Sequence, residues 1–134
     1  MWTCLTCTRQ FKTVNQSHSC VSQDLGRLFE GRPDHLVLAF DTLMTAVLDW
    51  QPQTVGASKN AIVFTNKKAW LIVKPLRAEL DVKFYSDEIL DSPLVKKITP
   101  WNKKQGHHVR LRDEREVTPA LLALLRRGYD FALR

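Results

Sequence analysis

Cysteine is scarce in this chain and unevenly placed. There are three, Cys4, Cys7 and Cys20, all within the first twenty residues. An odd number, with none beyond Cys20, excludes a disulfide framework for the rest of the protein. Glycine is sparse too, five in 134 residues, and there is no internal repeat or low-complexity tract, which excludes a fibrous or linker-dominated chain. No apolar run approaches the roughly 20 residues that a membrane-spanning helix requires. The N-terminus lacks the charged stretch and apolar core of a secretion signal. These absences set the expectation of a cytoplasmic protein without a membrane partner. Carboxylates are the minority charge, 14 against 20 lysines and arginines, for a net charge of +6. That balance favours anionic partners such as nucleic acid, nucleotides or acidic protein surfaces, although it also serves plain solubility. With 44% hydrophobic and 25% charged residues, the chain has the composition of a folded domain rather than a disordered one.

What is present at the front is a ligand set. Cys4-x2-Cys7 is followed, ten residues on, by His18-x-Cys20. Four soft or borderline donors in two close pairs match a tetrahedral zinc ion, and in a reducing compartment such pairs read as metal ligands rather than crosslinks. All four positions are filled by protein, so the zinc is structural. The pattern lacks the His-x3–5-His ending of the DNA-reading finger, so no recognition helix is implied. With Trp2 and Phe11 as its apolar cover, a segment this short has almost no core, and the metal must supply its folding free energy. His35 lies too far along the chain to be needed as a ligand. Residues 1–22 are therefore expected to form a zinc knuckle, and residues 33–134 a basic α+β domain.

After a short helix or link over 21–31, Leu36, Phe40, Leu43, Met44 and Val47 recur at helical spacing between Pro33 and Pro52. Asp34 falls at the helix start, a capping position. The period then changes. Residues 54–58, 60–65, 69–74 and 79–85 read as strands, with Thr65-Asn66-Lys67-Lys68 as a hairpin turn. Pro93 to Ile98 reads as one or two helical turns, and His107 to Arg112 as a last strand. Thr118-Pro119 opens a closing helix with Leu121, Leu122, Leu125, Tyr129 and Ala132 on one face. The expected architecture is a small antiparallel sheet of four to five strands, with an N-terminal and a C-terminal helix packed on one face.

Three further constellations bear on chemistry. From Lys96 to Arg112 the chain has no carboxylate, but it holds Lys96, Lys97, Lys103, Lys104, Arg110 and Arg112, with Trp101, His107 and His108 among them. Cations neutralise phosphates, and an exposed tryptophan offers a stacking face. The alternative is a solvated strand with Trp101 packed into the core. Lys59, at a strand entrance, is another candidate anion contact, and Arg126 and Arg127 either extend the patch or face solvent. Next, Glu79, Asp81 and Lys83 share one strand face, which resembles the catalytic half of metal-dependent nucleases; a polar outer face explains them equally well. Last, His107 and His108 are adjacent on a strand and point to opposite faces, one buried and the other exposed. They do not form one catalytic pair.

Residues 35 to 132 also resemble the bacterial domain-of-unknown-function family numbered 5655. The resemblance rests on Val55-Gly56-Ala57-Ser58-Lys59-Asn60-Ala61-Ile62-Val63-Phe64, on Gly106-His107-His108-Val109-Arg110-Leu111 and on Leu124-Leu125-Arg126-Arg127-Gly128-Tyr129-Asp130. The segment from Trp2 to Cys20 is similar to a CxxC…HSC stretch that precedes this domain in some members. The resemblance implies no settled activity and no catalytic residues. It implies a neighbourhood of DNA-handling proteins for some members, and by analogy a small frataxin-like or double-wing α+β fold.

Three functions are in play: a non-enzymatic, zinc-containing protein that binds nucleic acid or another anion through the basic surface; a protein-interaction domain that docks through the knuckle; and a magnesium-dependent phosphodiesterase. The zinc set itself makes a direct prediction. Cys7→Ser or Cys20→Ser is expected to abolish bound zinc, measured by elemental analysis of the purified chain, while the far-ultraviolet spectrum of the α+β domain persists; full zinc content in either variant would refute the ligand set.

Overall fold

The computed structural model describes residues 2–3, 10–11 and 27–134. The four candidate zinc ligands, Cys4, Cys7, His18 and Cys20, lie outside the described residues. At the front, strands β1 (Trp2–Thr3) and β2 (Gln10–Phe11) pair antiparallel, with Trp2 opposite Phe11. From residue 27 the order is helix α1 (Asp34–Leu48), strands β3 (Thr54–Ala57), β4 (Ile62–Thr65), β5 (Ala69–Pro75), β6 (Leu80–Ser86), β7 (Lys97–Trp101) and β8 (Lys104–Leu111), a short 3-10 turn (Glu114–Glu116) and helix α2 (Pro119–Leu133). The sheet is antiparallel throughout, in the order β3-β4-β5-β6-β8-β7.

Alternation along the strands decides which side is covered. Leu71 and Val73 on β5, Leu80, Val82 and Phe84 on β6, and Val109 and Leu111 on β8 are buried, and they oppose one another in register. Both helices pack on this side, α1 with Leu36, Ala39, Phe40, Leu43 and Val47, and α2 with Leu121, Leu125, Tyr129 and Ala132. α2 approaches β6 closely because Gly128 has no Cβ; one built there would lie 3.0–3.3 Å from Phe84 and the Tyr85 carbonyl. The α+β class and the paired helices match the sequence expectation, while the sheet has six strands rather than four to five.

The extra strand is β7. Residues 93–98 do not form helical turns: a turn at Pro93–Leu94 leads into a strand at Lys97. The chain then reverses through Asn102 (φ 51°) and Lys103 (φ 71°), two left-handed residues that match the tight hairpin turn whose twist suits flanking strands. Asparagine is a usual occupant and lysine is not, which is why the turn has no Asn-Gly signature. Asp34 is the first helical residue rather than the cap: Pro33 holds that position without a side-chain bond. Thr118 does cap α2, its Oγ1 accepting from the Leu121 amide at 3.2 Å.

The end of α1 is tied to the sheet through Gln53. A register shift between Phe64 and Thr65 makes Trp70 an extra residue on β5, turning its ring toward the helices. There it packs against Trp50 and edge-on to Tyr129, at centroid distances of 5.8 and 5.3 Å. The Gln53 amide accepts from Trp70 Nε1 at 3.2 Å and donates to the Trp50 carbonyl at 2.7 Å and to the Val47 carbonyl. One side chain thus satisfies a buried indole and the last turn of a helix.

His107 belongs to the same core. It is fully buried, and its ring stacks on Phe84 at 5.1 Å. The Leu90 amide donates to Nε2 at 2.9 Å, so the proton sits on Nδ1, which donates to the Gln105 carbonyl at 3.1 Å. This is the neutral imidazole, and burial pushes its pKa below the ordinary histidine value.

Two expectations follow for stability. Gln53→Ala leaves the Trp70 indole without its acceptor and should lower the unfolding free energy by about 1–3 kcal/mol, read from urea midpoints at unchanged m. For His107, the unfolded chain takes up its proton as pH falls through about 6.5 while the folded chain does not. Its contribution is therefore complete above that pH and is lost as pH falls toward the lower folded value. Urea midpoints between about pH 7.5 and 5.5 should show this decline, and His107→Phe should flatten it; an undiminished slope in that variant would place the proton elsewhere.

Candidate nucleic-acid interface

No helix among the described residues packs on the other side of the sheet. Alternation places there Ile72 and Lys74 from β5, Asp81, Lys83 and Tyr85 from β6, Lys104, Gly106, His108 and Arg110 from β8, and Lys97, Thr99 and Trp101 from β7. Glu79 and Arg112 continue the pattern at one end, joined at 3.6 Å.

The sequence candidates separate accordingly. Lys97, Trp101, Lys104, His108, Arg110 and Arg112 share this face; Lys103 stands at the tip of the β7–β8 hairpin, and Lys96 immediately precedes β7. Lys59 does not join them. It lies in the β3–β4 connection, at the opposite end of the sheet from the hairpin. Arg126 and Arg127 are on α2, across the sheet, where Arg126 pairs with Asp130 at 3.1 Å and covers Trp50 and Tyr129, and Arg127 pairs with Glu88. His107 is enclosed in the core and offers nothing to a ligand. Both histidines are buried, so the expectation that one is exposed is corrected. Trp101 is 62% exposed, which removes the alternative that it is core.

Glu79 and Asp81 do share a face with Lys83, as alternation required, but their carboxylates are taken by cations. Asp81 accepts from His108 Nδ1 at 3.1 Å and from Arg110 Nε at 3.0 Å; Glu79 accepts from Arg110 at 2.8 Å. Burial works against the Arg110 charge, yet the two carboxylates outweigh it and hold the guanidinium above its ordinary pKa. The carboxylate can only accept, so His108 carries a proton on Nδ1. In the neutral ring, Nε2 then accepts from the Thr99 hydroxyl at 3.2 Å. Among the described residues no group of three or more His, Cys, Asp or Glu side chains is placed to hold a metal ion.

The lysines are arranged differently. Among the described residues, the ion pairs of this face are those of His108, Arg110 and Arg112; Lys83, Lys97 and Lys104 make none. Lys104 Nζ lies 4.1 Å from the Tyr85 ring centroid and Lys83 Nζ 5.0 Å from it. Two ammonium groups thus lie against one ring, and neither has an ion-pair partner among the described residues. Tyr85 and Thr99 were not legible as site residues, and Lys83 was read only with Glu79 and Asp81, because β6 meets β8, and β8 meets β7, only in the folded sheet. The cue available in the sequence was alternation on β6, which already set Lys83 and Tyr85 on one side.

No curated protein and no solved structure matches the chain. A family model does, over residues 26–132, a span that holds α1, all six strands of the large sheet and all of α2 but its last residue. The chain belongs to that family, described as a domain of unknown function, DUF5655.

Proposed function

We propose that this protein is a non-enzymatic nucleic-acid-binding domain that contacts phosphates through the open face of β6, β8 and β7. The observation that carries the reading is that Lys83 and Lys104 both lie against Tyr85, with Lys97 and Lys103 nearby and no carboxylate paired to any of the four among the described residues. Cations without a carboxylate partner are available to an anion, and a polyanion also gains from counterion release. The opposite edge of the cluster is neutralised internally, since Arg110 and Arg112 are held by Glu79 and Asp81. A phosphate contact is thereby confined to the hairpin side of the face.

Zinc completes the reading at the front of the chain. Cys4, Cys7, His18 and Cys20 would hold it, and it would supply the folding free energy of the knuckle. Supporting this, the backbone on either side of the Cys4–Cys7 stretch pairs antiparallel, Thr3 opposite Gln10.

The test is fluorescence anisotropy of labelled DNA and RNA titrated with the intact protein across a salt series. Affinity should fall steeply with salt, with a log–log slope of about 0.7–0.9 per phosphate contacted. Lys83→Ala with Lys104→Ala should cut the slope by close to two contacts while leaving the fold intact. Absence of binding at low salt would overturn the reading and direct the search to a protein partner.

A further inference from the structure

We infer that the ligand of this face is single-stranded, with backbone phosphates at Lys83 and Lys104 and a neighbouring unpaired base stacked on Trp101. The inference rests on the phosphate-binding reading above and adds the substrate class to it.

The phosphate seat is Lys83 and Lys104 beside Tyr85. Lys83 passes Gly106, where a Cβ would lie 2.8 Å from Lys83 Cε and 2.9 Å from Thr99 Oγ1. The glycine leaves room for the lysine stem. Tyr85 is 8% exposed, so it lies against the lysines and offers no open face to a base.

Trp101 is the free face. It sits opposite Lys104 in the β7–β8 ladder, on the same side of the sheet as the seat, and it is two residues from Thr99 on its own strand. Two residues of strand span about 6.6 Å, the scale of one nucleotide step from phosphate to neighbouring base. The exposure of so large an apolar ring has no explanation in the packing of the described residues. Stacking on a base supplies one, and it requires that the base be unpaired. Within a duplex, away from its ends, both faces of each base are already covered, which leaves Trp101 without a platform partner there.

The hairpin tip carries an independent sign. Lys103 adopts φ 71°, the left-handed region, where glycine is unstrained and lysine is not. A lysine held there costs stability and places a cation beside Trp101 and Lys104, a trade suited to a binding loop. A role in binding and a role in folding then predict opposite consequences for Lys103→Gly.

The experiment compares three labelled ligands of equal length with the intact protein at one salt concentration: an oligothymidylate, a blunt duplex, and an abasic strand that keeps the sugar-phosphate chain but lacks bases. The oligothymidylate should bind about 10-fold or more tightly than either of the others. Trp101→Ala should bring the oligothymidylate down to the abasic level without changing duplex binding, and Trp101→Phe should restore part of the difference. Lys103→Gly should raise the unfolding midpoint while weakening all three ligands. Equal binding of the three, or tighter binding of the duplex, overturns the single-strand inference and leaves phosphate binding standing. Absence of binding by all three at low salt overturns both.

Discussion

The pairing of β6 with β8 is the constraint on which both sides of this molecule depend. Seven consecutive register pairs, from Leu80 opposite Leu111 to Ser86 opposite Gln105, lock these two strands together. On the helix side they stack Val82 on Val109 and Phe84 on His107; on the open side, Asp81 meets Arg110 and Lys83 meets His108. A slip of one residue would drive Asp81 and Lys83 into the core and put Val82 and Phe84 in water. The hydrophobic requirement of one face therefore fixes the polar arrangement of the other. The lysine cluster over Tyr85 needs no separate scaffold, because burial of Leu80, Val82 and Phe84 already places it.

The same register shows how the net charge of +6 is organised. At the end of α2, arginines are matched: Arg126 with Asp130, Arg127 with Glu88 and Arg134 with Asp87. Exposed pairs of this kind add little stability, but they leave those three arginines matched. On the open face, Arg110 and Arg112 are matched by Glu79 and Asp81, and the lysines nearer the hairpin are not. The lysines at the hairpin corner of the open face thus keep a field that extends a Debye length of about 8–10 Å into solvent.

How much of this was legible follows from the range of the forces involved. Helices α1 and α2 declared themselves through local periodicity and punctuation: Leu36, Phe40, Leu43 and Val47 on one stripe, and Thr118-Pro119 at a start. Strands β3 to β6 were legible from alternation, and the turn at Asn66 from its residue type; its side chain accepts from the Lys68 amide at 3.3 Å. β7 was not legible. Pro100 argues against a central strand, and Lys103 gave no glycine signal for the turn. Both are tolerated because β7 is an edge strand, a fact set by sheet order rather than by sequence. The basic run from Lys96 to Arg112 was visible, but its sorting was not: the carboxylates that neutralise Arg110 and Arg112 come from β6, and burial of both His107 and His108 follows from packing against Phe84, Asp81 and Thr99.

Pro100 has one more consequence, for how copies of this chain meet. Among the described residues the sheet has two free edges, β3 and β7. Growth of a sheet from molecule to molecule needs both edges to accept a strand. Pro100 has no N–H to give to an incoming backbone, and Lys96 and Lys97 set like charges along the same border. Edges of this composition resist strand addition. With β7 disfavoured, a strand that adds at β3 tends to end the assembly after one step, so the fold resists propagating into a fibre by extending its own sheet.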